Sequence, residues 1–258
     1  METIVGIFNS RGEGEKAVAQ LEATGIPRDR ITLLTPAAKE QLADVRTTEA
    51  EQPGMGKALG ATVGGALGVA GGLPIGAAIA SFFVPGVGPI IAAGLVGAAL
   101  LGFGGAATGA AAGEAMEEGI AHGLPHDELF VYEDALRKGR TVVLAFAEDE
   151  EVADRGRGAL AQAGAESIDA ARENWWIGLR SAEQEHYQGA GGDLDKNEAL
   201  YRRGFEAALH PGLRHQPYQT ALPTLREKYA DAYESETFKT GYLRGQDYDR
   251  SLKEKIKE

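Results

Sequence analysis

From Ala58 to Gly113 the chain runs for 56 consecutive residues without one Asp, Glu, Lys, Arg or His, between Lys57 and Glu114. A stretch this long has to be covered, either by protein or by lipid, because water penalises exposed apolar surface in proportion to its area. Starting just ahead of it, Gly56, Gly60, Gly64, Gly68, Gly72 and Gly76 recur every four residues, and Gly105, Gly109 and Gly113 form a shorter series at its end. On a helix, residues four apart line one ridge, so each series predicts a groove floored by backbone where another helix can approach closely. Pro85, Gly86, Gly88 and Pro89 form a turn that divides the run into two legs, Ala58–Phe83 and Ile90–Ala112. At about 1.5 Å per residue each leg, read as helix, is long enough to cross a bilayer.

Charge and composition narrow the partners. A formal net charge of -12 opposes non-specific binding to nucleic acid, which relies on Lys and Arg displacing counterions from phosphates. It also opposes electrostatic adhesion to anionic lipid, so any membrane contact has to come from apolar insertion. The absence of cysteine excludes disulfides, thiolate catalysis and Cys-ligated metal centres. The opening Met-Glu-Thr-Ile-Val-Gly has no basic region ahead of a long apolar stretch, so no signal peptide is expected and the expected compartment is cytoplasmic.

Around the run the elements follow in order. Thr3 to Phe8 reads as a strand. Ser10 with Glu13 has the capping-box arrangement, followed by Ala17, Val18 and Leu21 at helical spacing. Gly12 and Gly14 after a strand could cradle phosphate, but Glu13 and Glu15 would face the anion and Ala17 holds the third glycine position, so that reading is rejected. Gly25-Ile26-Pro27 ends the helix and Arg30 to Thr35 is a second strand. Pro125 opens a helix reaching Lys138, with Gly139 as its C-cap. Thr141 to Ala147 is a near-continuously apolar strand of central type, Asp149 to Ala163 a helix, and Glu166 to Ala170 a short strand. The expected fold class is therefore α+β: a split ferredoxin-like βαββαβ domain with an inserted Gly/Ala-rich apolar α-helical hairpin, followed by a small all-α module. The expected segments are 1–53 and 120–170 for the two halves of the sheet domain, 54–119 for the hairpin and 171–258 for the helical module.

Ile4-Val5-Gly6-Ile7-Phe8-Asn9-Ser10, the Val84-Pro85-Gly86-Val87-Gly88-Pro89-Ile90-Ile91-Ala92-Ala93-Gly94 core, Gly123-Leu124-Pro125 and Tyr132 through Gly139 together resemble the bacterial general-stress (heat-induced stress) protein family with a glycine-zipper insertion, over residues 1 to 170. The resemblance implies a role in stress response and supplies no catalytic residues.

After Ala171 the character changes: 11 of the 18 aromatic residues lie between Trp175 and Tyr248. Tyr201-Arg202-Arg203-Gly204-Phe205 returns as Phe238-Lys239-Thr240-Gly241-Tyr242, 37 residues on. This form sets two aromatics on one helical face with a glycine between them for close approach. Helix breaks are expected at Gly189–Gly192, at His210-Pro211-Gly212, and near Pro217 or Pro223. Core spacing and balancing acids favour a packed module over single-stranded nucleic-acid binding.

Chemistry-bearing patterns are sparse. Pro125 interrupts the helix that would align His122 with His126 for a metal, and no nucleophile elbow, zinc-protease or phosphate-loop motif occurs. The expectation is a non-enzymatic protein with no cofactor, no metal, no nucleic-acid partner and no small-molecule substrate. It self-associates into a homo-oligomer through the hairpin, which inserts in the lipid bilayer of the cytoplasmic membrane. The alternative is a soluble cytoplasmic self-assembling structural protein whose hairpins bury one another. A second alternative is a membrane-anchored small-ligand binding or sensing module.

Overall fold

The computed structural model describes residues 2–36, 79–84, 87–94, 126–189 and 191–255. These divide into two compact units, one comprising Met1–Pro125 with Tyr132–Ala171, the other His126–Val131 with Arg172–Glu258.

The first unit is built on a five-stranded sheet of β1 (Glu2–Phe8), β2 (Ile31–Pro36), β3 (Ile79–Val84), β4 (Gly88–Gly94) and β5 (Thr141–Ala147), in the spatial order β1-β5-β2-β4-β3. β5 lies between β1 and β2 and is antiparallel to both, with Val143 opposite Gly6 on one side and Leu33 on the other. Its apolar residues are buried on both faces, Val143 and Ala145 on one and Val142 and Leu144 on the other, which accounts for its near-continuous hydrophobicity. Helices α1 (Arg11–Ala23) and α3 (Glu150–Gln162) contribute Ala17, Val18, Leu21, Ala153 and Leu160 to a core shared with Ile4, Phe8, Ile31, Leu33 and Val143.

Local chemistry sets the helix ends. The Ser10 hydroxyl accepts from the Glu13 amide at 3.3 Å while the Glu13 carboxylate accepts from the Asn9 amide at 3.0 Å, and Asp149 accepts from the Val152 amide at 2.9 Å. Helix α2 (Leu129–Arg137), entered through a 3-10 turn at His126–Glu128, ends on Gly139, whose φ of 81° lets the Arg140 amide reach back to the Ala135 carbonyl at 2.9 Å. Gly14 is a packing residue: a β-carbon there would lie 2.7 Å from Thr141 and 2.9 Å from Leu33, so the glycine lets α1 sit down on the sheet.

Two features of the expected fold are corrected. The ferredoxin-like arrangement required a fourth strand over Glu166 to Ala170; only a single bridge, Ile7 with Glu166, forms. The Ser167 hydroxyl then accepts from the Ala170 amide at 3.2 Å, and helix α4 (Ile168–Gly189) begins where the strand was expected. The inserted hairpin is not helical in the part described, because Ile79–Val84 and Gly88–Gly94 are antiparallel strands. Ile79, Phe82, Phe83, Val84, Ile90 and Ile91 are β-branched or aromatic, and Pro and Gly punctuate the run within a few residues, conditions under which strand prevails over helix. β4 then joins the sheet by pairing with β2, Leu34 opposite Ala92.

The second unit is helical. α4 continues into it, followed by α5 (Leu194–Leu209), α6 (Tyr218–Lys228) and α7 (Glu236–Lys255). The breaks fall at Gly191, which has a φ of 83°, at His210-Pro211-Gly212 and at Pro217, whereas Pro223 lies inside α6. Gly204 lies against the backbone of Phe238 and Tyr242, and Gly241 against that of Tyr201 and Phe205. Gly245 meets Phe205 and Ala208. Contacts advance in the same direction along both helices, so α5 and α7 run parallel, with Gly204/Ala208 facing Gly241/Gly245. The pattern is unchanged when the two copies of the 37-residue repeat are exchanged, which makes the pair a pseudo-twofold built on small residues four apart. Tyr201, Phe205, Phe238 and Tyr242 are all fully buried around it.

Candidate self-association edge

A sheet exposes its backbone only at its outer strands, and here these are β1 and β3. β3 pairs with β4 in the register Ile79 with Ala93, Ser81 with Ile91 and Val84 with Gly88, and among the described residues no strand pairs with its other edge. Outer strands usually carry a lysine, a proline or a charge that deters pairing with another chain. Ile79-Ala80-Ser81-Phe82-Phe83-Val84 has none of these. Beside it, Ile90 and Ile91 of β4 are buried, and Pro89 falls one position beyond the last β2 partner, Ile90, where its missing N–H costs the β2 ladder nothing.

β1 is managed differently. The Glu166 amide donates to the Ile7 carbonyl at 2.9 Å, and at the other end Glu2 pairs with Arg157 at 3.2 Å.

Of the residues expected to mediate assembly, Gly88 and Pro89 lie in β4. Gly56, Gly60, Gly64, Gly68, Gly72, Gly76, Pro85, Gly86, Gly105, Gly109 and Gly113 lie outside the described residues. The expected membrane hairpin is corrected on two counts: the described centre of the run is strand, and among the described residues no helix is long and apolar enough to cross a membrane. The bilayer partner and the membrane location fall with it. The β3 edge itself was not foreseen; its signal was the clustering of Ile, Phe and Val next to a Pro-Gly turn.

The polar clusters of the helical unit are internally satisfied. Glu183, 1% exposed, accepts from Arg244 Nε at 3.0 Å and Nη2 at 2.9 Å, and from the Tyr201 hydroxyl at 2.9 Å. Three donors thus hold this buried carboxylate, which marks it as an internally paired structural charge. Glu183 follows Trp176 by seven residues and precedes Tyr187 by four, so its place on the apolar stripe of α4 was visible in the sequence. Glu198 takes the Trp176 indole N–H at 2.7 Å and Arg180 at 3.0 Å, and Asp195 takes Arg180 at 2.7 Å. Trp175 packs on Phe130 with ring centroids 4.7 Å apart. His210 is buried; its Nδ1 accepts from the Gly212 amide at 3.1 Å, while Nε2 lies 2.8 Å from Asp127 and 3.1 Å from the Lys228 ammonium. Both ring nitrogens are thereby engaged, so the cluster pins the His126–Glu128 turn to the ends of α5 and α6. Among the described residues no group of His, Asp and Glu has the arrangement to hold a metal ion.

Burial and the neighbouring Glu183 charge push the Tyr201 phenol well above its ordinary value, and burial pushes Tyr242 up to about 12. A phenol whose pKa is raised on folding stabilises the native state below the unfolded value of 10.0, and that contribution is lost as pH rises through the folded value. The helical unit is therefore expected to lose stability progressively above pH 10. Tyr242→Phe should flatten that loss. Thermal unfolding followed by tryptophan fluorescence between pH 8 and 11 tests this, and an unchanged midpoint across the range would refute it.

Comparison with known proteins finds no matching family model, no similar curated protein and no similar solved structure. The resemblance to the bacterial general-stress family is accordingly not supported, and the stress-response role drawn from it is withdrawn.

Proposed function

We propose that this chain is a self-associating structural protein whose copies meet through the β3–β4 hairpin, with a role in assembly rather than catalysis. The observation that carries this reading is the outer strand Ile79–Val84, which has one edge unpaired among the described residues and no residue that deters pairing. Adding a second strand there satisfies backbone groups by main-chain hydrogen bonds. The uncharged run from Ala58 to Gly113 supports the same reading, because a chain of net charge -12 repels its copies least along a stretch that carries no charge.

Light scattering on the eluting protein is expected to give a mass that is a multiple of 27.1 kDa. Ser81→Lys is expected to weaken association by tenfold or more, since seating an ammonium in the paired edge costs more than the ~1.4 kcal/mol a tenfold change represents. Its fluorescence and unfolding midpoint should match the wild type, showing that the fold is intact. A wild-type mass of one chain at every concentration would refute the proposal.

A further inference from the structure

Resting on that reading, we infer that the β3 edge takes the β3 edge of a second copy, antiparallel about a twofold axis, and that the assembly closes at this contact instead of propagating as a filament. The argument is one of available edges. A sheet that polymerises head to tail must offer two free edges, one to give and one to receive. Among the described residues the outer edge of β1 is met by the chain itself at Ile7, whereas no strand pairs with that of β3. Glu166 donates to the Ile7 carbonyl at 2.9 Å, and the chain there is packed so closely that a β-carbon on Gly6 would lie 3.1 Å from Ala165. At the far end of β1, Glu2 and Arg157 place an ion pair 3.2 Å long beside the strand. An incoming β3 strand would have to break the bridge at Ile7 and desolvate these charges.

At β3 the same strand can serve both partners. Two copies of Ile79–Val84 laid antiparallel meet without a charge or a proline on either side. The result is one sheet running through both copies, with β1 of each copy as its guarded outer edges. Because each chain carries a net charge of -12, repulsion between copies opposes the contact, and added salt should strengthen it.

The chain contains no cysteine, so an introduced pair reports proximity without background. Single cysteines placed in turn at Ile79, Ala80, Ser81, Phe82, Phe83 and Val84 are oxidised in the full-length protein, alongside Thr3→Cys in β1 and the double variant Thr3→Cys/Ser81→Cys. In an antiparallel pair about a dyad, only positions near the axis face their own copies at disulfide distance. One or two of the six are expected to give a two-chain band on a non-reducing gel, with Thr3→Cys giving none and the double variant no ladder. Raising the salt concentration should increase the yield. An oligomer in which none of the six cross-links, or a ladder from the double variant, would overturn the twofold β3 contact while leaving self-association standing. A single-chain mass throughout would overturn both.

Discussion

Gly204→Ala/Gly241→Ala is expected to destabilise the helical unit by about 3 kcal/mol, although alanine is the better helix former at both positions by about 1 kcal/mol each. A β-carbon at Gly204 would overlap the Phe238 carbonyl and stand 3.0 Å from the Tyr242 amide nitrogen. At Gly241 it would overlap the Tyr201 carbonyl and stand 2.9 Å from its carbon. These obstacles are backbone and cannot rotate aside, so α5 and α7 must separate. Separation opens gaps around Tyr201, Phe205, Phe238 and Tyr242, all fully buried, and each lost contact adds a cavity cost. Gly178→Ala supplies the control. That glycine is also inside a helix but has nothing within 4 Å of its would-be β-carbon, so the propensity gain should appear unopposed as stabilisation by about 0.5–1 kcal/mol. Both tryptophans, Trp175 and Trp176, belong to this unit, so urea unfolding followed by their fluorescence reads it directly. A double variant as stable as the wild type would show that α5 and α7 do not touch at their glycines.

Arg244→Ala is expected to cost about 3–5 kcal/mol, because it leaves the Glu183 carboxylate buried with only the Tyr201 hydroxyl to balance it. Most of that cost comes from the abandoned charge and not from the lost attraction. Glu183→Gln/Arg244→Met should therefore recover a large part of it, and the pair should be strongly non-additive in a double-mutant cycle. If Arg244→Ala proved no worse than an exposed substitution such as Arg155→Ala, where the partner Glu151 is 87% exposed, the ion pair would not be buried as described.

Much of the fold follows from residues close together in the chain. The Ser10 and Asp149 caps, the Gly139 C-cap and the central strand at Thr141–Ala147 are each readable from a few neighbouring side chains. They act through hydrogen bonds and steric limits that operate within one turn or one strand. The candidate site was much less legible. Over Ile79–Val84 a short apolar run satisfies helix and strand patterns alike, and periodicity alone does not separate them.

What decided the strand was a partner: β2 offers β4 an edge, β4 offers one to β3, and the pairing register fixes the hairpin in the sheet. Glu183 with Arg244, 61 residues apart, and Trp175 with Phe130 are likewise matched only once the helices are in place. By itself, then, the sequence determined the caps, the breaks at Gly191, His210-Pro211-Gly212 and Pro217, the repeated aromatic and glycine pattern and the existence of a long uncharged run that has to be covered. Tertiary structure alone decided that the described centre of the run is β-hairpin and not helix, and that among the described residues only β1 of the two outer strands meets a further segment at its edge. Local chemistry acts on every chain conformer, whereas a strand edge exists only after its neighbours have paired.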